Sequence, residues 1–173
     1  DAKYNALFEG AIKDSSYTAA GAALTGLYDL NPDKAYTVAK QLEPTAKGGL
    51  SAAIGEVYAK QGNSGDVAFF AKNFEEAGAG QAKFDAAIQY LNVLANVDNT
   101  DAVIKGIDQI KAMADQFKNN MVNNYLINLM QPMVQKKQAK AAGGNGADKA
   151  GLTKQSDYIQ KVIQDLKSSG NGE

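Results

Sequence analysis

Apolar residues recur along this chain at intervals of three and four, and nowhere do they alternate with polar ones over a sustained stretch. Spacing i, i+3, i+4, i+7 lines one face of an α-helix, whereas a half-buried strand needs period two. The stripe runs through Tyr4, Leu7, Phe8, Ala11 and Ile12, then Ala20, Leu24, Leu27 and Tyr28. It returns in Leu50, Ala53, Ile54, Val57 and Tyr58, and in Phe84, Ala87, Ile88 and Leu91. Val103, Ile107, Ile110, Ala114 and Phe117 carry it on, followed by Val122, Tyr125, Leu126, Leu129, Met130 and Met133. Tyr158, Ile159, Val162, Ile163 and Leu166 complete it. The pattern predicts an all-α fold of about nine helices.

The polar punctuation agrees. Asn31-Pro32 places a capping side chain before a proline at the first helical position, and Asp14-Ser15-Ser16 and Asn99-Thr100 offer further caps. Gly48-Gly49, Gly62-Asn63-Ser64-Gly65 and Gly78-Ala79-Gly80 interrupt the stripes. Connections this short predict antiparallel helix pairs. The pairs also repeat. Ala23-Leu24…Leu27-Tyr28 aligns with Ala53-Ile54…Val57-Tyr58 and with Ala87-Ile88…Leu91. A helix pair recurring about every 30 to 36 residues is the signature of a HEAT/ARM-like α-α superhelix. The Ala22-Ala23, Ala52-Ala53 and Ala86-Ala87 pairs suit helices packed closely on two sides.

Towards the C-terminus the pattern changes. Pro132 falls inside a stripe, which predicts a kink or break near Gln131. Gln135-Lys136-Lys137-Gln138-Ala139-Lys140 is polar all round and is expected to protrude or fray. Residues 141–152 are nearly all Ala, Gly, Asn, Asp and Lys and read as a flexible linker. The expected organisation is therefore a helical-repeat domain over 1–140, the 141–152 linker, a capping helix over 153–168 and a disordered tail over 169–173. The first residues, Asp1-Ala2-Lys3-Tyr4, enter a stripe with no lead-in and read as the start of an excised fragment.

Composition then narrows the chemistry. The 173 residues include no His, Cys or Trp, and all 18 basic residues are Lys. Without His or Cys there is no usual zinc site, no Ser-His-Asp or Cys-His nucleophile, no redox thiol and no haem ligand. Without Arg there is no bidentate clamp for phosphate or carboxylate. A net charge of −1 steers the chain towards neither nucleic acid nor anionic lipid, and no apolar run approaches the length that spans a bilayer. The lack of thiols leaves the compartment open, with export from a bacterial cell as one option.

The remaining motifs fail as sites. Asp98-Asn99-Thr100-Asp101 has Val103 where a calcium loop needs Gly and Gln109 where it needs a bidentate acid, so it reads as a helix cap. Gly78-Ala79-Gly80 lacks a preceding strand, and Gly143-Gly144-Asn145-Gly146 with Lys149 lacks the Gly-Lys-Ser/Thr ending of a phosphate loop. Glu75 and Glu76 are neighbours that point about 100° apart on a helix. The aromatic residues fall mostly on the stripes and are expected in the core. Phe69 and Tyr36 lie just off them and are candidates to line a groove. No catalytic, cofactor-binding or metal residue is assigned, and the chain is not expected to be an enzyme on its own.

One resemblance goes further. Asp14-Ser15-Ser16-Tyr17-Thr18-Ala19-Ala20-Gly21-Ala22-Ala23-Leu24, followed by Leu30-Asn31-Pro32-Asp33-Lys34-Ala35, resembles repeats in the C-terminal helical domain of M1-family zinc aminopeptidases, especially aminopeptidase-N-like proteins of Bacteroidetes-type bacteria. Ala46 to Gly62 and Asp66-Val67-Ala68-Phe69-Phe70 fit the same pattern, and the similarity is clearest over residues 1–118. The family's zinc-binding His-Glu motif and its Gly-x-Met-Glu-Asn motif have no counterpart here. The resemblance therefore implies a non-catalytic domain that packs on a zinc-bearing catalytic domain of the same polypeptide and helps enclose its peptide-access cavity. The zinc belongs to that other domain, and peptide substrate is a further partner. The rival expectation is a free-standing helical-repeat scaffold that binds a protein or peptide in its concave groove.

Overall fold

The computed structural model describes residues 10, 16–61 and 64–170. Among these residues there are eight α-helices and no strand, as the periodicity predicts. They are α1 (Tyr17–Leu30), α2 (Pro32–Leu42), α3 (Gly48–Gln61), α4 (Val67–Glu76), α5 (Gln81–Leu94), α6 (Thr100–Phe117), α7 (Asn120–Gly143) and α8 (Gly146–Gly170). Single 3₁₀ turns, Glu43–Thr45 and Ser64–Asp66, precede α3 and α4. The odd-numbered helices begin at residues 17, 48, 81 and 120, so the helix pair recurs at near-constant spacing, consistent with a helical-repeat fold. The expected helix over Tyr4–Ile12 lies outside the described residues.

The capping chemistry read from the sequence sets the helix ends. Asn31 serves two helices, its N–H donating to Leu27 O at 2.8 Å and its Oδ1 accepting from Lys34 N at 3.1 Å, with Pro32 opening α2. Ser16 Oγ accepts from Ala19 N, and Asn99 Oδ1 accepts from Ala102 N at 2.9 Å. Such caps satisfy N–H groups that a helix start leaves unpaired.

Two compact units divide the chain, Asp1–Gly62 and Asn63–Glu173. In the first, α1 packs chiefly on α3 with α2 alongside. The two helices approach closely at Gly21, where a β-carbon would lie 2.6 Å from Gly49 O. Only one Ala of each expected close-packing pair is buried in full: Ala23, Ala53 and Ala87. In the second unit, α4 packs on α5, α6 on α5 and α8, and α7 on α8. Its core holds Phe70, Phe74, Tyr90, Leu91, Ile107, Ile110, Leu126 and Ile159.

The C-terminal expectations need correction. Residues 141–152 are helical apart from the two-residue turn Gly144-Asn145. Ala and Lys are strong helix formers, and buried Ala141 and Leu152 pull both flanks into the core. The last helix begins at Gly146 rather than 153 and runs through 169 and 170, where a disordered tail was expected. Buried Leu166 holds that end, with Asn123 Nδ2 donating to Leu166 O and to Ser169 Oγ at 3.4 Å. Residues 171–173 lie outside the described residues.

α7 does not break at Pro132. Pro132 and Asn128, four residues before it, both face solvent, so water can reach the carbonyl that has no amide partner. Beyond the proline the helix does not fray. Lys137 is 1 % exposed.

Candidate interaction surface

The motifs set aside on sequence grounds lie at helix ends. Asp98 to Asp101 is the start of α6, capped by Asn99. Gly80, at φ 83°, begins α5, and Gly146, at φ 55°, begins α8. Glu75 lies at the end of α4 and accepts a hydrogen bond from Gln109 Nε2 at 2.8 Å. Gln109 Oε1 in turn accepts from Tyr90 OH at 3.1 Å. Burial, and then the charge of Glu75, push the Tyr90 phenol up to about 12. Among the described residues, no three acidic side chains gather as a metal site would require.

Both off-stripe aromatics pack against another ring. Phe69 is buried edge-on against Phe70, and half-buried Tyr36 stacks edge-on against buried Tyr58. Exposed large apolar side chains include Tyr17 and Leu30 of α1 and a group of three in the second unit, of which Phe117 and Tyr125 lie on stripes expected in the core and Met121 does not. Phe117 ends α6, while Met121 and Tyr125 occupy the first turns of α7. They are 41 %, 78 % and 45 % exposed, respectively. Phe84 of α5 is half-buried beside them, its ring 5.1 Å from that of Tyr125. With Gly80, Gln81, Asn119 and Val122 these residues line a cavity of about 420 Å³ where α5 begins, α6 ends and α7 starts.

Backbone geometry holds this surface open. Lys118 closes α6 in the left-handed conformation, at φ 44°. Asn119 Oδ1 then accepts from Met121 N at 2.8 Å, which starts α7 at once. Two residues thus join the helices, and Phe117 and Met121 are left exposed on either side of the junction. Met and aromatic side chains are enriched in interface cores, and soft, unbranched Met adapts to varied partner shapes.

A second cluster is polar. From one face of α7, three lysines reach the loop between α5 and α6. Lys136 Nζ donates to Asn96 Oδ1, Lys137 Nζ to Val97 O, and Lys140 Nζ to Asp98 Oδ2 at 2.6 Å. From α8, Gln155 Nε2 donates to Asp98 O at 2.7 Å and to Thr100 Oγ1 at 3.2 Å, and Thr100 Oγ1 donates to Gly151 O at 3.3 Å. Burial pushes the Lys137 amine down to about 8, with Lys140 and Lys136 adding to the effect and Asp98 opposing it. Gln155 is fully buried, and its Oε1 has no hydrogen-bond partner. Sequence reasoning took this stretch of α7 as solvated, because Lys ordinarily is. The 40-residue separation between lysines and loop left no local signal to say otherwise.

Compared with protein-family models, with curated proteins and with solved structures, the chain matches none.

Proposed function

We propose that this chain is a non-catalytic helical module that works by docking against another protein domain through the Phe84–Phe117–Met121–Tyr125 surface. The observation that carries the reading is the exposure of three large apolar side chains side by side at one helix reversal, with Met121 at 78 %. Isolated exposed apolar residues are ordinary, but a contiguous aromatic and Met cluster favours an apolar partner. The resemblance of residues 1–118 to M1-type aminopeptidase repeats gives the reading its specific form. The partner is then the zinc-bearing catalytic domain of the same polypeptide, and these helices help enclose its peptide-access cavity.

In the reading frame that encodes this chain, a zinc-binding His-Glu segment is expected upstream. Its absence from the complete frame would leave the free-standing scaffold as the better reading. The docking claim has its own test. Met121→Glu with Tyr125→Glu is expected to weaken association with the partner domain at least tenfold in calorimetric titration while leaving helicity unchanged, since buried aromatic anchors dominate such interfaces. Undiminished association would reject the surface. Added alone, the chain is expected to hydrolyse no aminoacyl substrate and to bind no stoichiometric zinc in equilibrium dialysis.

A further inference from the structure

The three-lysine junction is a built feature that the docking role does not use. Lys136, Lys137 and Lys140 lie at i, i+1 and i+4 of one helix, and each takes an acceptor on a successive residue of the same loop, Asn96, Val97 and Asp98. The loop is gripped from the other side by Gln155 of α8. The outer pair, Lys140 and Asp98, is more than half exposed, so solvent screens it. Lys137 is different, because its ammonium is sealed under the loop and, among the described residues, its hydrogen-bond acceptor is a single backbone carbonyl. A buried charge with a single neutral acceptor is held at a desolvation cost that loss of the proton removes.

We propose that the α7–α8 hairpin and the α5–α6 loop form a protonation-controlled latch, in which loss of the Lys137 proton tightens the hold on residues 95–99. The charged groups that bear on the amine are Asp98 of the loop, which favours the ammonium, and Lys136 and Lys140 of its own helix, which disfavour it. α8 and α6 bring the neutral Gln155 and Thr100 to the same junction. The direction follows from linkage. Opening the latch exposes Lys137 and returns its amine towards the ordinary 10.5, so the open form binds more protons between about pH 8 and 10.5. Raising the pH through that window therefore favours the closed form, and below about pH 7 the balance is flat.

Hydrogen exchange of backbone amides 95–103, corrected for intrinsic rates, tests the latch. Between pH 7 and 9 the opening constant is expected to fall about tenfold, the ratio set by amines titrating at about 8 and 10.5. In Lys137→Met the tenfold response should vanish while the other helices exchange as before. Titration of the lysine ε-carbons by NMR in the unaltered protein supplies the second measurement, with one resonance expected to move near pH 8. If every lysine titrates near 10.5, or if the tenfold response survives in Lys137→Met, the latch is overturned.

Discussion

Gly21 and Lys137 show at the residue scale what local pattern hides. Gly21 reads as an ordinary member of an Ala-rich helix, yet a β-carbon there would meet Gly49 O at 2.6 Å and Gly49 C at 2.8 Å. Neither atom can yield without moving α3, so Gly21→Ala should destabilise the chain by about 1–3 kcal/mol in urea unfolding. A cost under about 0.5 kcal/mol would mean that the two helices separate freely. The identity of the glycines was in the sequence, but their apposition across 28 positions was not. The same holds for Lys137, whose acceptor Val97 lies 40 residues away. Ile54 is the opposite case. Its place in a stripe foretells burial, the structure leaves it 0 % exposed, and Ile54→Ala should cost about 2–5 kcal/mol.

Elements were legible wherever apolar spacing and a capping residue agreed, as in α1, α2 and α6. They were missed where composition was read in place of propensity. The Ala141–Gly151 stretch looked like a coil because of its glycines, but most of its other residues are Ala and Lys, and Leu152 extends the stripe of Ile159 and Leu166 backwards by two turns. Pro132 was read as a breaker because a proline in mid-helix forfeits a hydrogen bond. The contacts of α7 with α8 on its buried face outweigh that loss. Substituting an exposed alanine restores the amide without disturbing those contacts, so Pro132→Ala should raise stability by about 1–3 kcal/mol. The docking surface escaped for a related reason. Periodicity marks Phe117 and Tyr125 as apolar-face residues but is silent on whether a neighbouring helix arrives to cover them.

Across the whole molecule the shifted groups predict an alkaline optimum. Lys137 titrates lower in the folded chain than the ordinary 10.5, so the unfolded chain binds more protons there and this lysine alone adds about 2 kcal/mol of stability between pH 8 and 10. Above pH 10 the sign reverses. Burial raises Tyr90 to about 12, and a hydrogen bond with Asp108 raises Tyr158 to about 12, so the folded chain retains protons that the unfolded one releases. Lys111, held up by its hydrogen bond to Asp115, adds to that loss as it discharges. Melting temperatures should therefore peak near pH 10, and a monotonic fall from pH 7 upwards would refute the assignment. The two-residue turn between α7 and α8 has a kinetic consequence as well. It brings the two longest of the described helices together at almost no loop-closure entropy, and most other helix contacts join elements one or two apart in sequence. Folding should be complete within milliseconds in stopped-flow experiments, with substitutions at Met130 and Ile159 slowing the folding arm of the chevron more than those at Phe70. On that expectation the α7–α8 hairpin forms ahead of the rest of its unit.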